Sequence, residues 1–128
     1  MKKGGILNPA LCQLLARTGH TDYFTICDRG FPVPDGPERI DLALVDDIPT
    51  VLEVLTAIAG EYHIDRVVVT QEMQEISPGR VEDLKTIVGI EKLEAITHVA
   101  LKRLSQSGKA TVRTGDTCPY ANIIVVSG

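Results

Sequence analysis

The sequence predicts a single α/β domain over residues 1–128, a largely central mixed sheet in an α/β/α layering. Three observations predict it. Helix-like and strand-like segments alternate from one end of the chain to the other. Four helix starts carry a capping candidate, Asn8, Asp47, Ser77 and Thr97, and Asn8-Pro9 and Ser77-Pro78 add a proline at a position where its missing N–H costs nothing. Val67-Val68-Val69 is a compact β-branched run of the kind buried on both faces of a sheet.

Asn8-Pro9 opens the first helix, Leu11, Leu14 and Leu15 mark its apolar face, and Gly19 is placed to end it. Tyr23 to Cys27 follows as a short strand, and Arg29-Gly30 with FPVPDGP reads as a loop. Ile40, Leu42 and Leu44 alternate as in a strand with one buried face. The second helix is expected from Ile48-Pro49, with Asp47 near its cap and a broad stripe of Val51, Leu52, Val54, Leu55, Ile58 and Ala59. After the valine strand, Ser77-Pro78 starts a helix carrying Val81, Leu84, Ile87 and Val88. A strand around Leu93 to Ile96 leads to Thr97 as a cap and a helix with Val99, Leu101 and Leu104, closed by Gly108. Strands at Thr111–Thr114 and Asn122–Val126 flank the turn GDTCPY. No repeat, low-complexity segment or linker interrupts the pattern.

At 128 residues and 44% apolar, the chain is long enough to bury a core without disulfides or metal. The net charge of -4 and the scattered lysines and arginines argue against nucleic acid. No segment approaches the length of a membrane span, and MKKGG is not followed by a signal-type apolar run. The three cysteines, Cys12, Cys27 and Cys118, are odd in number and widely spaced, which predicts reduced thiols and a cytoplasmic location.

In α/β sheets, ligands gather at the carboxyl ends of strands and adjoining helix starts. Asp28 ends the Tyr23–Cys27 strand, and His98 opens a helix directly after a strand. His20 lies at the other end of Asp28's strand, roughly 17 Å away if that strand is extended. Either the chain bends back at Thr21-Asp22, the strand starts later, or one of the two serves another subunit's site. Each residue also has an ordinary role: His20 as a cation at a helix C-terminus, Asp28 as a turn former, and His98 as one more polar residue early in a helix. The helix dipole at His98 disfavours imidazolium and suits it to bonding hydroxyls. His63 reads as structural or exposed. Two histidines and a carboxylate admit a facial-triad metal site, but no H-x-x-x-H or H-x-H pair supports one. A cysteine nucleophile, Cys27 or Cys118, is possible on inventory without support from spacing. No phosphate-binding glycine loop is present; CDRG is not one.

The segments MKKGGILN, GHTDYFTICDRGFPVP, RIDLAL, THVALK and CPYANIIV span the chain from Met1 to Val126. Together they resemble the ribose pyranases, sugar mutarotases that accompany bacterial ribose uptake, and more distantly the fucose mutarotases. RGFPVP with RIDLAL favours the ribose type. The resemblance implies a ribose pyranase-like fold and an isomerase that interconverts pyranose and furanose forms of D-ribose with no metal or organic cofactor. His20 matches the family's proton donor. Asp28 and His98 match sugar-binding positions, as do Tyr120 and Asn122 of the PYAN motif, with Ala121 contributing backbone. Lys102, four residues past His98 on the same helical face, is a second-tier candidate for a sugar hydroxyl. The resemblance also implies a homodecamer of two five-membered rings, with Tyr120 and Asn122 contributed across a subunit boundary. It carries nothing over between Ile76 and Ile96.

Ring interconversion breaks one hemiacetal and closes another through the open aldehyde, so it needs a proton delivered and a proton removed. A histidine with a pKa of about 6.5 does either near neutrality, a contribution of roughly 10²–10⁴-fold. Asp28 would accept hydroxyl hydrogen bonds or orient His20. The alternatives are a fucose-type mutarotase and a non-catalytic sugar-binding or regulatory protein linked to sugar uptake.

Overall fold

The computed structural model describes residues 1–128. Six strands form one sheet in the order β2-β5-β1-β6-β3-β4. They are β1 (Tyr23–Cys27), β2 (Glu38–Asp41), β3 (Ile64–Thr70), β4 (Leu93–Ile96), β5 (Ala110–Arg113) and β6 (Ile123–Ser127). All neighbouring pairs run parallel except those made by β6, which is antiparallel to both β1 and β3. The sheet is therefore mixed, and β6 alone joins its two halves.

Successive residues of the central strands point to opposite faces. Phe24, Ile26, Val67, Val69, Ile123 and Val125 enter the larger core with the apolar sides of α1 (Pro9–Arg17), α2 (Val51–Ala59) and α4 (Pro78–Val88). Cys27, Val68, Ile124 and Val126 face the other way, against Leu101 of α5 (His98–Ser105) and Phe31 of the loop after β1. Helices thus cover both faces, as the buried valine run requires: Val67, Val68 and Val69 are all buried.

Local chemistry sets the helix boundaries. Asn8 caps α1, its Oδ1 accepting from the Leu11 N–H at 2.9 Å, with Pro9 in the first turn. That helix ends on Thr18 in an extended conformation, not on a left-handed Gly19. The cap of α2 is Thr50, not Asp47. Thr50 and Glu53 form a reciprocal capping box, so the helix starts two residues later than Ile48-Pro49 suggests. Ser77 precedes α4 but makes no side-chain cap; its hydroxyl donates instead to the Pro119 carbonyl at 2.9 Å. A short helix, α3 (Gln71–Ile76), follows β3 where the sequence reading placed none. The alternation expected through Leu44 stops at Asp41, and Leu44, Val45 and Ile48 are exposed on a tight turn. On α5 only Leu101 of the expected apolar residues is buried; Val99 is 65% exposed.

Candidate active site

The antiparallel course of β6 decides where the site lies. β1 runs toward Asp28, and β6 runs away from Asn122, so the loop after one and the loop before the other meet at the same sheet edge. There the Asn122 Oδ1 accepts from the Asp28 N–H at 2.8 Å. α5 opens nearby because β4 lies on the far side of β3 and delivers the chain to Thr97, whose Oγ1 accepts from the Ala100 N–H. His98 is the first residue of that helix, and its own N–H donates to Glu72 Oε2 at 2.8 Å.

Asp28, His98, Lys102, Tyr120 and Asn122 line one cavity of about 270 Å³, with Phe31 and Pro32 supplying its apolar side. That is slightly below the roughly 300–1,000 Å³ of pockets for drug-sized ligands and suits a single sugar ring. Two other clefts are larger, about 320 and 380 Å³, but neither contains a histidine. The His98 and Tyr120 rings meet edge to face, 5.1 Å between centroids. Tyr120 is held at φ 55°, a left-handed conformation that is uncommon outside glycine.

The electrostatics separate the two titratable groups. Burial pushes the Asp28 carboxyl above its ordinary value, against the stabilising N–H bonds it receives from Gly30 and Phe31. Burial, then the Lys102 ammonium, holds the His98 imidazole below its ordinary value, so it is neutral near pH 7. Its Nδ1 is buried and has no hydrogen-bond partner in the protein. The cavity therefore offers an amide, a phenol, an ammonium, a neutral imidazole and a carboxyl around an apolar wall. Such a set can hydrogen-bond the hydroxyls of a small polyhydroxylated ring.

His20 is not there. It is exposed on the tight turn before β1, where the Thr21 N–H donates to the Ser127 carbonyl at the far end of β6. Asp28 and His20 sit at opposite ends of the five-residue β1, so Asp28 does not orient the His20 of its own chain. Tyr120 and Asn122 share their cavity with Asp28 within one chain, and the outlying residue is His20. Ala121, expected to contribute backbone, has its methyl in the main core and is not among the residues that line the cavity. Cys27 is fully buried, and burial pushes its thiol up to about 12, which removes it as a nucleophile. No cluster of three His, Cys, Asp or Glu side chains is arranged to hold a metal ion. Phe31, Pro32 and Pro119 also line the cavity. The sequence reading took the FPVP stretch as a loop and as a mark of the ribose type but named no site residue in it, although its place just after Asp28 was the available signal.

Comparison with known proteins gives the family and the fold. The model of the RbsD / FucU transport protein family matches residues 1–128. The chain belongs to this family. D-ribose pyranase of Clostridium novyi (strain NT) is 41% identical over 128 residues, covering 100% of this chain and 98% of its relative. The structure of Bacillus subtilis RbsD complexed with D-ribose superposes with a TM-score of 0.94 at 37% identity, covering 100% of this chain and 98% of that one. The fucose mutarotase of Streptococcus pneumoniae, in complex with L-fucose, shares the fold at a TM-score of 0.77 and 20% identity, covering 95% of this chain and 93% of that one. The mixed six-stranded sheet is thus the fold of the RbsD / FucU family.

Proposed function

We propose that the chain is a D-ribose pyranase, an isomerase that interconverts the pyranose and furanose forms of D-ribose. The observation that carries this reading is the convergence of Asp28, His98, Lys102, Tyr120 and Asn122 on a sugar-sized cavity. The full-length similarity to proteins named D-ribose pyranase supports the choice of sugar.

The reaction needs no redox step. The anomeric hydroxyl gives up its proton as the bond from C1 to the ring oxygen breaks, and that oxygen takes a proton, leaving the open aldehyde. The C4 hydroxyl then adds to C1, loses its proton, and the carbonyl oxygen becomes the new anomeric hydroxyl. His20 is the proton donor to the departing ring oxygen. Neutral His98, with its unpartnered Nδ1, and Asp28 hold sugar hydroxyls, while Tyr120 and Asn122 fix the ring. Sugars open unaided, so a general-acid contribution of roughly 10²–10⁴-fold suffices. No metal or organic cofactor takes part.

His20 and the cavity occupy opposite ends of β1, so the complete site forms between copies: the His20 turn of one protomer closes the cavity of the next. Such a head-to-tail contact generates rings when its rotation closes, here five-membered rings paired into a decamer. The exposed Leu44, Val45 and Ile48 on one tight turn supply apolar surface for assembly. Three free cysteines fit a cytoplasmic protein, and no helix is long and apolar enough to cross a membrane.

Saturation-transfer NMR of D-ribose with and without the protein tests the reading. Faster exchange between pyranose and furanose signals is expected. Binding without faster exchange would establish a sugar-binding or regulatory protein instead, and faster exchange of L-fucose alone would establish the fucose type.

A further inference from the structure

We infer that Arg80 and Asp116 are positioning residues for the sugar cavity, acting through the 116–122 loop and above all through Tyr120. The inference rests on the cavity being the ribose site proposed above.

Asp116 has no exposed surface, yet it is charged. Its Oδ2 accepts from the Val51 N–H at 2.9 Å and from Arg80 Nη1 at 2.6 Å. Its Oδ1 accepts from the Cys118 N–H at 2.9 Å and from Arg80 Nη2 at 3.2 Å. The guanidinium fork thus meets both carboxylate oxygens, the strongest geometry available to a buried ion pair. Arg80 itself is 14% exposed. Although burial pushes the other way, hydrogen bonds from Arg80, Cys118 and Val51 hold the Asp116 carboxyl below its ordinary value.

Neither member of this pair hydrogen-bonds to a lining residue of the cavity, but the pair is tied to both of its walls. The Asp116 carbonyl accepts from the Arg29 N–H at 3.1 Å, the residue after Asp28. Its carboxylate takes the Cys118 N–H, two residues before Tyr120. Ser77, three residues before Arg80, donates its hydroxyl to Pro119. The start of α4 therefore grips the loop at Asp116 and at Pro119, and Tyr120 follows at φ 55°. A non-glycine residue in that region persists only where its surroundings over-determine it. Those surroundings are this grip on one side and the Asn122–Asp28 bond on the other. An isolated buried pair adds little to stability over an apolar one; its bidentate fork does fix a direction.

The test compares wild type, Arg80→Gln and Arg80→Lys by ribose ring-exchange kinetics, thermal melting and the ring-proton shifts of His98, which stands against the Tyr120 ring. Arg80→Gln should raise KM about tenfold, about 1.4 kcal/mol of lost binding, with kcat changed far less. It should also move the His98 resonances, and Arg80→Lys should recover part of both effects. In a Tyr120→Ala background Arg80→Gln should add nothing further to KM, because the two act on one element. A lower melting temperature with unchanged KM and unchanged His98 shifts, or KM effects that multiply in the double variant, would overturn the inference. Should Arg80→Gln fail to fold, Arg80→Lys carries the same comparisons. Absence of ribose exchange by the wild type would count against the pyranase reading, and the His98 shifts would still decide whether Arg80 positions Tyr120.

Discussion

The side-chain carbonyl of Asn122 accepts a 2.8 Å hydrogen bond from the backbone N–H of Asp28, 94 positions away in sequence. The bond ties the start of β6 to the end of β1 at the mouth of the cavity. Asn122 is nearly fully buried, so deleting its amide leaves the Asp28 N–H without its acceptor. Such a loss costs roughly 1–3 kcal/mol. Asn122→Ala should lower the urea midpoint accordingly and weaken ribose binding. A variant as stable as wild type would show that the bond is replaced by water.

His20 is expected to carry the chemistry without holding the sugar. His20→Ala should lose most of the exchange rate, roughly 10²-fold or more, while retaining the fold and ribose binding. Because His20 is exposed and remote from its own cavity, His20→Ala and Tyr120→Ala should complement each other. Co-refolded at equal amounts, about a quarter of the head-to-tail contacts would pair an intact His20 with an intact cavity. Activity that stays at the level of the parents would place each site within one chain.

The pH behaviour of His98 has a definite sign. Burial and Lys102 depress its folded value below the ordinary 6.5. Below 6.5 the unfolded chain takes up a proton that the folded imidazole refuses, so this contribution to stability is present above 6.5 and is lost as pH falls through the folded value. An NMR titration should find the His98 midpoint below 6.5, and Lys102→Met should move it upward. A midpoint unmoved by Lys102→Met would mean that burial alone is responsible.

The cysteines divide by burial. Cys27 is fully buried with its thiol pushed up to about 12, whereas Cys12 and Cys118 are partly exposed. A thiol reagent at neutral pH should label at most two sites in the native protein and all three after unfolding. Rapid native labelling of Cys27 would show that the core under α5 opens readily.

Exhaustive chelation should leave ring exchange at its untreated rate. Activity lost to the chelator and restored by one divalent ion would revive the facial-triad arrangement.

Strand periodicity and helix caps were legible because they are local. The five residues of β1 coincide with the span read from the sequence, and Asn8 and Thr97 cap the helices they were expected to cap. What failed depended on tertiary context. Leu44 and Val99 look like core residues in an alternating or helical pattern, yet both are exposed, because an apolar residue does not state which surface it serves. Ser77 reads as a cap, but its hydroxyl is drawn to Pro119, 42 positions on. Asp28 and His98 could be placed at one sheet edge by the rule for strand ends, and Lys102 by its i,i+4 spacing from His98. Asp116 and Arg80 could not, since a buried ion pair between distant segments leaves no periodic trace. The resemblance to ribose pyranases supplied Tyr120 and Asn122, which spacing alone would have left as a turn.

The position of β6 also constrains the order in which the protein is completed. The strands β2, β5 and β1 form one block and β3 with β4 another, and the two are bridged only by β6, which follows all five in the chain. On the ribosome both blocks therefore have to wait with bare inner edges until β6 emerges. Asn122, which begins that closure, also completes the cavity wall. A nascent chain halted before β6 is left with two unpaired strand edges, the template for pairing with other chains. Closure of the cavity wall and protection from aggregation are therefore acquired in the same late step of synthesis.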